Sequence, residues 1–301
     1  MCNLPPAVDV KTVTVIGAGT MGSGIAQVCA QAGYQTHLVD ANHLALERGM
    51  QRIDEFWAKG IAKGKTTEAQ RTEWKGRLHA SPDATKPARE SQLVIEAVPE
   101  DLKLKQRVFA QVDKAAPDGA LLASNTSSLS VTAIAAATKR PSAVLGLHFF
   151  NPVPLMQLLE IVRHDDTSPE ALRMAQDVGK RLGKTTIVVK DSPGFATSRL
   201  GIVLGNEAMR MLEEGVASAR DIDTAMRLGY GHPMGPLELS DLIGLDVRAD
   251  VGDYLYSQFK GDHYRSPDLL RRLVAAGDLG KKSGRGFYDW SDGAPRERKL
   301  P

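Results

Sequence analysis

Several features that define other classes of protein are scarce in this chain. Its 301 residues include only two cysteines, Cys2 and Cys29, so neither a disulfide framework nor a set of metal ligands is available. No apolar run reaches the roughly 20 residues that a membrane-spanning helix needs. The first residues, MCNLPP, have neither the basic nor the apolar stretch of a secretion signal. We therefore expect a cytoplasmic protein with no metal and no membrane partner.

An excess of charge of one sign is also absent. The 38 lysines and arginines nearly balance the 36 acidic residues, and the formal net charge is +2. No dense basic run with interleaved aromatic residues occurs, so a nucleic-acid surface is not expected. The length is ample for a large core and predicts about two domains.

A glycine-rich turn links a strand pattern to a helix pattern near the N-terminus. The β-rich run at 12–16 leads into GAGTMG at 17–22, and a helical pattern follows. In a dinucleotide-binding turn, Gly17 would permit the tight turn, Gly19 would let the backbone approach a pyrophosphate, and Gly22 would allow close packing of helix on strand. A lone glycine motif is weak evidence, but strand, turn and helix occur here in the required order.

A carboxylate directly follows the next β-rich run, which spans 35–39. Asp40 lies roughly 20 residues beyond the first glycine, where this type of fold holds the adenosine ribose. A carboxylate there repels a 2′-phosphate, and no arginine is adjacent, because Ala41 and Asn42 follow. The sequence therefore predicts NAD as the cofactor rather than NADP.

Strand and helix patterns alternate through the first two thirds of the chain. A long, charged, helical segment at 43–77 interrupts the alternation as an αα-hairpin would. The pattern predicts an α/β fold with a doubly wound, mainly parallel sheet of Rossmann type. The further β-rich runs are 93–98, 121–125, 144–150, 158–163 and 185–190, and the helical patterns between them include 102–114 and 169–182.

Beyond Lys190 the strand pattern stops. Helical stretches follow, separated by glycine and proline loops, at 200–214, 219–228, 239–257 and 267–276. We therefore expect a dinucleotide-binding domain at 1–190 and an all-α C-terminal domain at 191–301.

A lone histidine and a lone carboxylate lie in consecutive β-rich runs. His148 stands near the end of one run, Glu160 lies within the next, and two prolines separate them. If the reversal is centred near Pro154, the two residues are cross-strand partners with β-carbons roughly 5 Å apart. A buried glutamate stabilises an imidazolium, which would let His148 act as a general base. On these residues alone, a core histidine satisfied by its neighbour fits as well.

The motifs of this chain resemble those of the 3-hydroxyacyl-CoA dehydrogenases, and most closely those of the short bacterial 3-hydroxybutyryl-CoA dehydrogenases. Besides the glycine turn, they are EAVPE at 96–100, SNTSSL at 124–129, HFFNP at 148–152, SPGF at 192–195, GHPMGP at 231–236 and GRGFY at 284–288. The resemblance covers nearly the whole chain. It implies an NAD-dependent oxidoreductase of fatty acid metabolism that interconverts (S)-3-hydroxyacyl-CoA and 3-oxoacyl-CoA. It also implies a homodimer formed through the C-terminal domain.

The resemblance assigns roles to individual residues. It makes His148 the catalytic base and Glu160 its partner, and it places Ser127 and Asn151 at the reacting carbonyl and the nicotinamide. For Ser127, turn chemistry is an alternative that its residue type leaves open. The further cofactor contacts implied are those of Thr20, Met21, Glu100 and Lys105.

Two substrate contacts are less specific. Ser198 stands where the longer-chain mitochondrial members carry an asparagine, and its hydroxyl can make one of that amide's hydrogen bonds. Alternatively, Ser198 caps the helix that begins there. Among Lys59, Lys63 and Lys65, we choose Lys59 as a ligand of the CoA phosphates, the alternative being a solvated helical face.

Two other functions fit parts of the pattern. A related hydroxyacid dehydrogenase, such as an L-gulonate 3-dehydrogenase, would share the scaffold without using CoA. A non-catalytic structural protein built on a recruited dehydrogenase would bind the dinucleotide without turnover, although the presence of His148 and Glu160 argues against it.

Overall fold

The computed structural model describes residues 9–300. The chain divides into two compact units, Met1–Ser192 and Pro193–Pro301. The first unit contains an eight-stranded sheet in the order β3-β2-β1-β4-β5-β6-β7-β8. Its strands are β1 (Thr12–Ile16), β2 (Gln35–Val39), β3 (Leu78–Ser81), β4 (Leu93–Glu96), β5 (Leu121–Ser124), β6 (Val144–Phe149), β7 (Leu158–Arg163) and β8 (Thr185–Lys190).

The helices of the first unit connect these strands. Several of them begin at a capping residue; Asp101, for example, caps α5 by accepting a hydrogen bond from the Leu104 amide. The helices are α1 (Thr20–Gln31), α2 (His43–Ala62), α3 (Glu68–Lys75), α4 (Thr85–Ala88), α5 (Leu102–Ala115), α6 (Val131–Ala135) and α7 (Pro169–Arg181). The mainly parallel α/β fold and the αα-hairpin, formed by α2 and α3, are confirmed.

The direction of the strands decides where a site can form. All neighbouring strands of the sheet are parallel except β6 and β7, which are antiparallel. The chain reverses between them at residues 150–157, too few for a crossover helix. The carboxyl ends of β1, β2, β4, β5 and β6 therefore meet at one edge of the sheet, where ligands of such folds bind.

The central strands of the sheet lie in the core of this unit. Strands β4, β5 and β6 are buried along their whole length, as expected for a parallel sheet covered on both faces. Trp57 of α2 and Phe109 of α5 are among its largest fully buried side chains. Cys29 is buried in α1 and Cys2 lies outside the described residues.

The second unit is helical. Its helices are α8 (Thr197–Glu213), α9 (Ala219–Gly229), α10 (Pro236–Ile243), α11 (Leu245–Phe259) and α12 (Asp268–Ala275). A short antiparallel ladder joins β9 (Tyr288–Asp289) to β10 (Arg296–Glu297). The single helix predicted at 239–257 is wrong, because the chain breaks at Gly244, whose φ of +107° favours glycine and lies outside the helical range.

A buried carboxylate binds the backbone of the GRGFY segment in this unit. Asp241 of α10 accepts hydrogen bonds from the amides of Phe287 and Tyr288 and from Nε1 of Trp290. Burial raises the pKa of Asp241 to about 6. The segment therefore fastens the C-terminal ladder to α10, which is a structural role.

Two further observations concern the part of the chain that the structure describes. None of its helices has both the length and the apolar character needed to cross a membrane. Within residues 9–300, no three histidine, cysteine or acidic side chains are grouped so that they could hold a metal ion.

Candidate active site

The glycine turn lies at the carboxyl end of β1. Gly17 has a φ of +103°, and a β-carbon there would come within 2.5 Å of the Ala97 carbonyl oxygen. A β-carbon at Gly22 would lie 1.7 Å from the carbonyl oxygen of Gly17, so glycine is required where α1 packs on the turn. Gly19, by contrast, would meet nothing within 4 Å. The backbone is therefore accessible at Gly19, beside an α1 N-terminus that has no side-chain cap.

A cavity of about 650 Å³ opens beside this turn. Asp40, at the end of β2, borders it and is tied to the turn, because its Oδ2 accepts a hydrogen bond of 2.9 Å from the Ala18 amide. Its Oδ1 accepts another from the Asn42 amide, also at 2.9 Å. The lining includes Gly17, Gly19, Thr20, Met21, Asp40, Ala41, Ala97, Val98 and Pro99. The volume and the glycine turn fit an adenosine diphosphate moiety.

The predicted pairing of His148 with Glu160 is confirmed. The two residues are direct partners in the antiparallel ladder of β6 and β7. Nδ1 of His148 lies 2.6 Å from Oε2 of Glu160, and both side chains are buried. The aromatic ring of Phe150 packs against the imidazole, with 4.5 Å between ring centroids. A short contact to a buried carboxylate fixes the orientation of the imidazole ring.

The loop after β5 is held in place by side chains of neighbouring segments. Oδ1 of Asn125 accepts a hydrogen bond of 3.0 Å from the amide of Phe149, next to His148. Oε1 of Glu100 accepts hydrogen bonds from the amides of Ser127 and Ser128, at 2.9 and 3.2 Å. The loop that carries Ser127 is thus fixed at the same edge of the sheet as His148.

Lys105 and Glu100 form part of a buried ion network. Nζ of Lys105 lies 2.7 Å from Oε1 of Glu96 and 3.3 Å from Oε2 of Glu100. The side chains of Lys105 and Glu96 are each only 1% exposed. Burial by itself would raise the pKa of Glu100, but the charge of Lys105 and the hydrogen bonds from Thr126 and Ser127 outweigh it and lower the pKa. Lys105 therefore stabilises the wall of the site through its ion pairs with Glu96 and Glu100.

The remaining predicted residues lie farther from this network or in the other unit. Asn151 is exposed in the reversal between β6 and β7. Lys59 is exposed in the last turn of α2. Ser198 lies in the first turn of α8 and is partly buried. The alternative interpretation of Ser198 as the helix cap is wrong, because α8 is preceded by Ala196 in the capping position.

Comparison with known proteins decides the family. The model of the 3-hydroxyacyl-CoA dehydrogenase NAD-binding domain matches residues 12–192, and that of the C-terminal domain of the same enzymes matches residues 194–290. The chain belongs to the 3-hydroxyacyl-CoA dehydrogenase family. The predictions of the family and of NAD as its cofactor are confirmed.

Individual members of the 3-hydroxyacyl-CoA dehydrogenase family match along almost their whole length. A probable 3-hydroxybutyryl-CoA dehydrogenase of Bacillus subtilis is 43% identical over 284 residues, which are 94% of this chain and 99% of the relative. The crystal structure of Mycobacterium tuberculosis FadB2 superposes with a TM-score of 0.90 at 43% identity, covering 94% of this chain and 99% of that one. That of (S)-3-hydroxybutyryl-CoA dehydrogenase from Ralstonia eutropha has a TM-score of 0.89 at 42% identity, covering 93% and 99%.

Sequence reasoning gave no role to Glu96, which the structure places at the centre of the ion network. Its Oε2 accepts a hydrogen bond of 2.7 Å from Oγ of Ser124, and its Oε1 accepts one of 2.7 Å from the Val98 amide. A signal was present, because Glu96 is a charged residue that ends an otherwise apolar strand at the ligand-binding edge of the sheet.

Proposed function

We propose that this protein is an NAD-dependent 3-hydroxyacyl-CoA dehydrogenase that acts on (S)-3-hydroxybutyryl-CoA and acetoacetyl-CoA. The observation that carries the proposal is the buried pair of His148 and Glu160 at the sheet edge that also bears the glycine turn. The short substrate is supported by the names of the Bacillus and Ralstonia relatives, both of which are 3-hydroxybutyryl-CoA dehydrogenases by name. We assign cofactor binding to the domain predicted at 1–190 and dimerisation to that at 191–301.

In this proposal His148 exchanges a proton with the oxygen at C3 of the substrate. Nδ1 is engaged by Glu160, which assigns the exchange to Nε2. The carboxylate of Glu160 stabilises the imidazolium that forms when the hydroxyl is deprotonated. Ser127 and Asn151 would donate hydrogen bonds to the oxygen as negative charge develops.

The residues around the cavity fit NAD, which when bound supplies the hydride acceptor at the nicotinamide. Gly17, Gly19, Thr20, Met21 and Gly22 would hold the pyrophosphate at the N-terminus of α1. Asp40 would accept hydrogen bonds from the adenosine ribose. The Glu100 carboxylate and Lys105 would shape the wall on the nicotinamide side.

Contacts for the CoA moiety and a second subunit complete the proposal. Lys59 would interact with the phosphates of CoA, and Ser198 would contact the acyl thioester. We propose a cytoplasmic homodimer that uses no nucleic-acid or membrane partner. Exposed apolar side chains on the helical unit support a subunit interface there; they include Leu200, Leu204, Leu239, Leu242, Ile243 and Val247.

Asp40 is expected to set the preference for NADH over NADPH. The kcat/KM for NADH should be much higher than that for NADPH, mainly through KM, because the ribose contact is remote from the hydride transfer. The double substitution of Asp40→Ser with Ala41→Arg should reverse or erase the preference. Steady-state kinetics with both cofactors at fixed acetoacetyl-CoA measures it.

A matched control separates charge from the structure of the turn. Asp40→Asn keeps the size of the side chain and one acceptor for the Ala18 and Asn42 amides, but it removes the repulsion of a 2′-phosphate. It should lower the NADPH KM without lowering kcat. Equal efficiency of the unmutated enzyme with the two cofactors would contradict the role of Asp40.

The main competing function is a dehydrogenase of the same scaffold that acts on free hydroxyacids, such as L-gulonate. Comparing the turnover of acetoacetyl-CoA with that of gulonate and other CoA-free hydroxyacids distinguishes the two. A non-catalytic dinucleotide-binding protein would bind NADH and turn over neither class of substrate.

A further inference from the structure

The ion network behind the cavity contains two carboxylates and one cation. Lys105 contacts both Glu96 and Glu100, at 2.7 and 3.3 Å. Every other hydrogen bond to these two carboxylates comes from an N–H or O–H group. The donors are the amides of Val98, Ser127 and Ser128 and the hydroxyls of Ser124, Thr126, Ser127 and Ser128. A carboxylate that only accepts hydrogen bonds is best satisfied when ionised. Burial raises the pKa of Glu96 against the effect of Lys105 and these donors, whereas the pKa of Glu100 is lowered. We call these three residues the Glu96 cluster, and its formal net charge is −1.

The Glu96 cluster lies directly behind one wall of the cavity. Its two carboxylates stand at either end of the segment 97–99, and all three residues of that segment line the cavity. The same segment packs against the glycine turn, because a β-carbon at Gly17 would lie 2.5 Å from the Ala97 carbonyl oxygen. Glu100 also holds the Ser127 amide. The negative charge is therefore close to the half of the site that lies over β4 and β5.

Solvent has little access to two of the three charged side chains. The side chains of Glu96 and Lys105 are 1% exposed and that of Glu100 is 37% exposed. Charges that are mostly buried act over a longer distance than exposed ones, because neither water nor salt surrounds them.

NAD⁺ and NADH differ in charge only at the nicotinamide ring. The nicotinamide ring is positively charged in NAD⁺ and neutral in NADH, whereas the adenosine and pyrophosphate parts are the same. Only a fixed charge near the ring can therefore change the relative affinity for the two forms by an electrostatic effect.

We propose that the Glu96 cluster acts as a redox-state selector, which strengthens the binding of NAD⁺ relative to NADH by placing one uncompensated negative charge beside the nicotinamide. This inference rests on the proposed function, since it needs the nicotinamide over the ends of β4 and β5. Its consequence is that the bound cofactor is shifted toward its oxidised form compared with a site that has a neutral wall.

Direct binding measurements test the selector. The dissociation constants of NAD⁺ and NADH would be measured by calorimetry for the wild type, Glu100→Gln and Glu96→Gln. The measurements would be made at about pH 8, where carboxylates are ordinarily ionised. Each substitution leaves one carboxylate paired with Lys105, so the cluster becomes neutral. In both variants the ratio Kd(NAD⁺)/Kd(NADH) should rise on the order of tenfold, as for a unit charge roughly 10 Å away at an effective dielectric constant of about 20.

The control is Asp118→Asn, which removes a fully exposed carboxylate just before β5, at the opposite edge of the sheet. It should leave the ratio unchanged. If both cofactor forms weaken by the same factor in the two cluster variants, the cluster only holds the loops in place and the selector is refuted. A similar change of the ratio in Asp118→Asn would refute it as well. Failure of the wild type to bind either form would instead overturn the proposed function itself.

Discussion

Replacing His148 by Gln is expected to lower kcat by roughly 100-fold or more. Glutamine can still form a hydrogen bond, but it cannot take a proton from the C3 hydroxyl near neutral pH. Cofactor binding should be nearly unchanged, because His148 is not among the residues predicted to contact NAD. Steady-state reduction of acetoacetyl-CoA gives kcat, and titration with NADH gives the dissociation constant.

His164 offers a matched control for this substitution. It is a buried histidine of the same unit, and its Nε2 lies 3.1 Å from the carbonyl oxygens of Pro141 and Val144. It follows β7 at the edge of the sheet opposite the glycine turn, so His164→Gln should affect stability rather than kcat. A kcat close to that of the wild type in His148→Gln would assign His148 to the core instead.

Replacing Glu160 by Gln should also reduce kcat strongly and shift the pH optimum. A neutral amide keeps the shape of the side chain but cannot stabilise the imidazolium of His148. Because the two residues act as one unit, the double variant should lose much less activity than the product of the two single losses. The pH dependence of kcat/KM and a double-mutant cycle measure these effects.

Two outcomes would contradict this view of Glu160. Multiplicative losses in the double variant would show that the residues act independently. An unchanged pH profile with reduced thermal stability would show that Glu160 serves only the packing of β6 on β7.

The sequence predicted those parts of the fold that depend on local pattern. The β-rich runs at 12–16, 35–39, 158–163 and 185–190 coincide with strands, because each is a short stretch of apolar and β-branched residues between turns. The pairing of His148 with Glu160 was also predictable, since a reversal centred near Pro154 makes these two residues cross-strand partners.

Other features depend on tertiary packing and could not be predicted in this way. The contact between Lys105 and Glu96 requires α5 to pack beside the end of β4, which no local spacing dictates. The break at Gly244 lies within a continuous helical pattern, where a glycine is usually tolerated. The hydrogen bond from Ala18 to Asp40 likewise depends on how the glycine turn meets the end of β2.

We propose above all that this chain transfers hydride between NADH and a 3-oxoacyl group held as a CoA thioester. The most direct test is the rate of NADH oxidation by the purified protein with acetoacetyl-CoA, beside free acetoacetate with NADH and L-gulonate with NAD⁺. We expect a kcat/KM for acetoacetyl-CoA that exceeds the others by on the order of 100-fold or more, because the CoA moiety supplies binding energy that the free acids lack. Tight binding of NADH without turnover of acetoacetyl-CoA, or faster turnover of L-gulonate, would contradict it.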